Sequence, residues 1–268
     1  MCRPLRTHAV AALLACTAMG AMAQPVAVSS GPVLRAAYIS TNAAQAVRDL
    51  QSGEFRGVSA DVARDLGRRL NKPVEILPQA TAADVISAVQ KGDADIGFVA
   101  PNPARMVLAY SQTYMLVQQS FLVRADSSIK STADLDLAGQ VLGANTGDSV
   151  GTYIKGNFKR AQLLESPDYT MKEAVRWLAG GKVVAFGGNR QRLGMAAAID
   201  KNLGLRLLPD NLYAVPQAIA VSPGNPALLA FVNSALDEMR ASGFLEAAVK
   251  RGDIEGVGVA PASPQPSR

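Results

Sequence analysis

Residues Met115–Val123, MLVQQSFLV, run nine positions without a glycine or proline, and Tyr213–Val221, YAVPQAIAV, form a second extended run. Their apolar, β-rich composition predicts two long strands. What flanks them decides the fold. Upstream, Val33–Ser40 reads as a buried strand, and an irregular stretch, Asn42–Arg56, turns at Ser52-Gly53. Val58, Val62, Leu66 and Leu70 recur every four residues, so Ser59–Asn71 is predicted as an amphipathic helix that Ser59 caps and Asp61 favours at its positive end. Strand Val74–Leu77, helix Ala82–Gln90 closed by Gly92, and buried strand Asp95–Ala100 follow. Downstream of Val123 a second such set appears. After a capped turn at Ser131–Leu135 come strand Val141–Ala144, helix Ser149–Phe158 and strand Leu163–Glu165. A helix carrying Met171, Val175 and Leu178 on one face ends at Gly180-Gly181, before strand Val183–Gly187, helix Asn189–Ile199 and strand Leu205–Leu208. After the second long run, Asn225–Ser242 is a helix with Leu228, Val232, Ala235 and Met239 on one face, and Gly243–Lys250 adds a shorter one. The expectation is an α/β protein of two lobes joined by two extended hinge crossings. Lobe 1 is discontinuous, over 33–115 and 216–255, lobe 2 spans 122–210, and 256–268 is expected to be a loose tail. Two-lobed folds of this kind hold ligand in the cleft between the lobes.

Composition narrows the chemistry. The chain has 268 residues, 27 Lys+Arg against 22 Asp+Glu, and a formal charge of +5. Residues 1–23 hold Arg3, Arg6, the only histidine (His8) and both cysteines (Cys2 and Cys16). They read as a secretory signal: a basic start, an apolar run over Ala9–Gly20, and a small-x-small site at Ala21-Met22-Ala23. Without Arg3 and Arg6 the charge falls from +5 to +3. The remaining chain has no His and no Cys, which excludes Ser-His-Asp and Cys-His catalysis, thiolate or histidine metal sites, and disulfides. No cofactor or metal is expected. Interleaved charges without a basic cluster argue against nucleic acid.

Four segments then carry a resemblance. They are Gly57-Val58-Ser59-Ala60-Asp61-Val62-Ala63, Gly92-Asp93-Ala94-Asp95-Ile96-Gly97, Arg105 with Tyr110-Ser111-Gln112-Thr113-Tyr114, and the run from Leu137 to Ser149, LAGQVLGANTGDS. In this order and spacing the chain resembles the family-3 extracellular solute-binding proteins of ABC transporters, amino-acid-binding-protein-like, with the type II periplasmic-binding fold. The resemblance implies a periplasmic protein, expected to act as a monomer. It would capture a small carboxylate-bearing solute and present it to a membrane permease.

It also implies site residues. Arg105 would grip the ligand carboxylate through its planar donor fork. Thr146 and Ser149, at a helix start, would add hydroxyl and backbone donors, with Asp148 partly opposing an anion there. Asn189 stands where amino-acid binders carry the Asp that takes the ligand ammonium, so the amino-acid signature is incomplete. Asp148 or Asp168 could supply the missing charge. Thr41-Asn42-Ala43-Ala44-Gln45 stands where the family often has an early aromatic, and Ser40, Thr41 and Asn42 remain polar cleft candidates, as does Asn102. Trp177 reads as core, and Tyr38 and Phe98 as core or cleft floor. Two other functions fit such a fold: an enzyme resembling a periplasmic dehydratase, with Glu165 and Glu173 the nearest acids, and a sensory or accessory module.

The exported protein is expected to begin at Gln24. N-terminal sequencing or intact mass tests this; a diacylglyceryl group on Cys16, which the Leu13-Leu14-Ala15-Cys16 run would permit, replaces it with a lipoprotein.

Overall fold

The computed structural model describes residues 31–102, 107–199 and 201–262, so the expected signal and Arg105 lie outside the described residues. The first part of the chain forms β1 (Leu34–Ile39), a hairpin of β2 (Val47–Arg48) and β3 (Phe55–Arg56), α1 (Val58–Arg69), β4 (Val74–Gln79), α2 (Ala82–Lys91), β5 (Ile96–Val99) and β6 (Ala109–Tyr110). Then come β7 (Met115–Arg124), β8 (Val141–Asn145), α3 (Ser149–Asn157), β9 (Gln162–Ser166), α4 (Lys172–Ala179), β10 (Ala185–Asn189), α5 (Arg190–Ile199) and β11 (Leu205–Leu207). The chain returns through β12 (Tyr213–Val221) to α6 (Pro226–Ala241), α7 (Phe244–Gly252) and β13 (Val257–Val259).

The two long runs do what their length suggests. The strand order is β4-β1-β5-β12 in one lobe and β9-β8-β10-β7 in the other. Each lobe therefore repeats one plan: three parallel strands, then an antiparallel fourth supplied by a crossing strand. Between the lobes β7 and β12 pair with each other, from Gln119 opposite Tyr213 to Met115 opposite Gln217. Each half-sheet carries an apolar cluster on each face. Leu34, Leu66, Tyr114, Ile219 and Val232 lie in one and Val85, Val89 and Val99 in another, both in lobe 1. Leu122, Trp177 and Phe186, and Phe121, Leu142 and Ile154, build the two of lobe 2. Each such side chain fully buried contributes roughly 1.5–3 kcal/mol of transfer free energy.

Helix boundaries follow local chemistry. Thr81 and Asp84 form a reciprocal capping box on α2, Gly92 closes it in the left-handed region, and Asn225 caps α6. The start of α1 departs from expectation. Gly57, not Ser59, is its N-cap; at φ 131° it passes so close to Gln45 that a Cβ would lie 2.6 Å from the Gln45 carbonyl oxygen. The Ser59 amide bonds that carbonyl at 3.0 Å, which draws Ser59 into the interior. Its Oγ lies 2.6 Å from the Tyr114 hydroxyl, and both residues are buried. The Gly-x-x-Asp segment also finds its reason here. Asp95 accepts from the Arg35 backbone N–H at 2.8 Å and from its guanidinium at 3.1 and 3.3 Å, tying the start of β5 to β1.

The tail expected from Gly256 onward is instead ordered over its first residues. β13 pairs antiparallel with β7, Val257 opposite Val117 and Val259 opposite Met115, because the free edge of β7 offers unpaired backbone groups to an alternating Val-Gly-Val run.

Burial pushes the Tyr114 phenol far up, against the weaker pull of Ser59. The unfolded chain ionises this group near pH 10 and the folded one does not. Stability is therefore expected to fall as pH rises above about 10. Ser59→Ala strips the buried hydroxyl of its partner and is expected to cost ~1–3 kcal/mol in urea unfolding at pH 7.

Candidate functional site

Between the lobes lies a cleft of about 630 Å³. Its lobe 1 wall consists of Tyr38, Ser40, Thr41 and Ala43 at the end of β1, Val47, Arg48 and Phe55 of the β2–β3 hairpin, and Pro78 of β4. Tyr169, Thr170 and Met171, which lead into α4, and Arg192, Met195, Ala196 and Ile199 of α5 form the lobe 2 wall. The volume falls in the range of small-molecule sites.

Two guanidiniums face this space, one per lobe, and each lies over an aromatic ring. Arg48 sits 6.0 Å from the Phe55 ring centroid and Arg192 sits 5.5 Å from that of Tyr169. A stacked guanidinium keeps its edge donors available while its flat face is held. Phe55 is itself fixed edge-to-face on Tyr38 at 5.7 Å. Burial raises the Tyr38 phenol, partly offset by Arg48. The Arg48 Nε donates to the Gly53 carbonyl at 3.3 Å, and Arg48 makes no ion pair among the described residues. Arg192 is paired with Asp148, at the start of α3. Burial pushes the Asp148 carboxyl up, and Arg192 only partly counters it. The Tyr169 hydroxyl donates to the Thr146 carbonyl and so joins the loop before α4 to the loop before α3.

Among the residues singled out from sequence, Tyr38, Ser40 and Thr41 line the cleft. Asn42 follows Thr41 in the same turn, and its side-chain oxygen is buried without a hydrogen-bond partner. Thr146 meets the cleft through its bond with Tyr169, and Ser149 opens α3, exposed. Asn102 is exposed beyond β5. Asn189 stands at the end of β10, where its Oδ1 accepts from the Arg192 backbone N–H at 2.9 Å and caps α5. Asp168 accepts from Thr170 and from the Glu173 N–H; the Thr170 hydroxyl bond leads in holding its carboxyl below the usual range. Glu165 is bound to Lys155 at 2.7 Å, and Glu173 accepts from Ser166. Trp177 lies in the lobe 2 core, with Lys182 over its ring at 4.4 Å.

Sequence reading missed Arg48, Phe55, Tyr169, Arg192, Met195 and Ile199. One signal was available. In the helix after Asn189, the core face is set by Leu193 and Ala196, and Met195 and Ile199 are large apolar residues left off it.

The family model for bacterial extracellular solute-binding proteins, family 3, matches residues 34–251. The chain belongs to that family. As a family 3 solute-binding protein it has relatives in amino-acid transport. The ABC transporter glutamine-binding protein GlnH of Bacillus subtilis (strain 168) is 26% identical over 211 residues, covering 76% of this chain and 75% of that protein. A putative binding component of an ABC transporter from Wolinella succinogenes DSM 1740, complexed with lysine, superposes with a TM-score of 0.69 at 23% identity, over 82% of this chain and 95% of that one. The ancestral amino acid-binding protein AncCDT-1, a precursor of cyclohexadienyl dehydratase, gives 0.66 at 23%, over 82% and 94%. The fold is the two-lobed type II periplasmic-binding fold. No helix among the described residues is long and apolar enough to cross a membrane.

If Asn189 acts as a cap, Asn189→Ala is expected to cost ~1 kcal/mol of stability, while Asn189→Asp retains it. Urea unfolding of the two variants separates these outcomes.

Proposed function

We propose that this solute-binding protein captures a small carboxylate-bearing solute between its lobes, in the periplasm, and presents the closed form to the permease of an ABC transporter. The observation that carries this reading is the cleft itself. Both lobes line it, each contributes a ring-stacked guanidinium, and no Asp or Glu stands among its described lining residues. A carboxylate touching both walls stabilises the closed state through contacts that the open state lacks, which is how a ligand drives hinge closure. Arg105, to which the resemblance assigns the carboxylate, is proposed as a further anchor.

An enzyme on this fold would need an acid or base in the cleft. Glu165 and Glu173, the lobe 2 acids nearest to that role by sequence, are engaged by Lys155 and Ser166 and are absent from the cleft lining. This favours binding over catalysis.

A thermal-shift screen of amino acids, keto acids, hydroxy acids and sugars on the chain from Gln24 tests the proposal. A cognate ligand at about 100 times its Kd adds ~2.7 kcal/mol. For a chain of this size that raises Tm by roughly 5–10 °C. Small-angle scattering should report a smaller radius of gyration with the same ligand. A sugar shifting Tm while every carboxylate is silent would sink the proposal.

A further inference from the structure

α5 turns Arg192, Met195, Ala196 and Ile199 to the cleft, the i, i+3, i+4, i+7 spacing of a single helical stripe. Met195 is 60% exposed and Ile199 52% exposed, an unusual cost on a helix whose core contacts are already made by Leu193. Facing them on lobe 1 are Tyr38, Phe55, Pro78 and Val47, the last 47% exposed. Apolar surface left open on both walls of a cleft is recovered when an apolar body fills it.

The charged groups stand at one end of this stripe. The Arg192 side chain is 13% exposed and, among the described residues, its guanidinium makes one hydrogen bond, from a terminal nitrogen to Asp148. Its Nε is shielded from water and has no partner. A guanidinium has five donors, so the Asp148 contact leaves it able to hold a second carboxylate. Among the described residues, Arg48 and Arg192 less the Asp148 that pairs with Arg192 leave one net positive charge beside the cleft, which suits a monoanion.

Among the described residues an ammonium finds no matching group. Asp148 is engaged by Arg192, the Asp168 oxygens by Thr170 and Glu173, and the Asn189 oxygen by the start of α5. Burying an ammonium without a free carboxylate is costly, and two arginines nearby add repulsion.

We propose that the cleft selects a monocarboxylate with an apolar or aryl body and no ammonium. The carboxylate seats on Arg192, and the body lies along Met195, Ala196 and Ile199 against Tyr38, Phe55 and Val47. This inference rests on the cleft being the solute site.

The test is calorimetry with matched probes: phenylpyruvate against L-phenylalanine, 4-methyl-2-oxopentanoate against L-leucine, and pyruvate as the acid without a body. Each keto acid is expected to bind at least about tenfold more tightly than its amino acid, and phenylpyruvate at least about tenfold more tightly than pyruvate. Arg192→Gln is expected to weaken phenylpyruvate binding by about 30-fold or more. Because it also strips Asp148 of its partner, the double variant Arg192→Gln/Asp148→Asn serves as the folded control and should show the same loss. Ile199→Ser, at an exposed position, should weaken phenylpyruvate and spare pyruvate. An amino acid binding as tightly as its keto acid overturns the inference. So does a double variant that binds phenylpyruvate normally while Arg105→Ala does not. Tight binding of glutamine, arginine or lysine with all keto acids silent leaves the solute-binding reading standing and removes this one. Silence of every carboxylate removes both.

Discussion

The molecule depends on one ladder, the antiparallel pairing of β7 with β12 between Met115–Gln119 and Tyr213–Gln217. β12 completes the half-sheet of lobe 1 and β7 that of lobe 2, so lobe 1 cannot complete its sheet until the chain has passed through lobe 2 and returned. That constraint fixes the discontinuous lobe 1 and sets the cleft where the strands cross. Two buried glutamines on the ladder are satisfied locally. The Gln119 amide donates to the Val117 carbonyl at 3.1 Å, and Gln217 accepts from Gln45 at 3.0 Å. Gln45 in turn accepts from the Ile39 N–H and donates to the Phe98 carbonyl, at 2.9 and 3.1 Å, which pins the turn after β1 to the crossing. The turn after β1 and the crossing strands thus form one hydrogen-bonded unit, not a loose junction.

Much of the architecture was legible in sequence because it rests on periodicity and punctuation. The two long runs, the fourfold spacing of Val58, Val62, Leu66 and Leu70, and the closing glycines act through the chain's own neighbours. Ser59 and the Val257–Val259 strand were not legible because tertiary partners decide them. Gln45 draws Ser59 inward, and an unpaired edge of β7 recruits the C-terminal segment. The site was harder for the same reason. Arg48 and Arg192 are ordinary surface arginines in sequence; only the approach of two lobes makes them face one space. Asn189 shows the reverse: its position suggested ligand recognition, and its oxygen is spent on a helix cap.

Glycines in lobe 2 follow the same division between local and distant causes. Gly187 lies in β10, where a Cβ would stand 2.4 Å from the Val150 side chain and 2.8 Å from Phe121. Its smallness lets α3 pack on the sheet, which in turn positions Asp148 and hence Arg192. Gly187 thus serves helix–sheet contact, whereas a Cβ at Gly188 would make only ordinary contacts, the nearest at 3.5 Å from Leu193.

The C-terminal segment makes the hinge a three-stranded object. Around Met115–Val117, β7 is paired on one side with β12 and on the other with β13. Just before β13, Glu255 reaches α5 through Arg190 at 2.8 Å, and the Gln118 N–H bonds the Gly256 carbonyl at 2.7 Å. A two-strand hinge bends wherever its torsions are softest. A third strand bonded alongside raises the bending stiffness over Met115–Val117. An opening motion about these strands would then be closer to a single rotational coordinate than to a diffuse wobble. Under the proposed capture of a solute, the time it stays enclosed would be governed by one barrier along that coordinate, and β13, which lines no part of the cleft, would help to set its height.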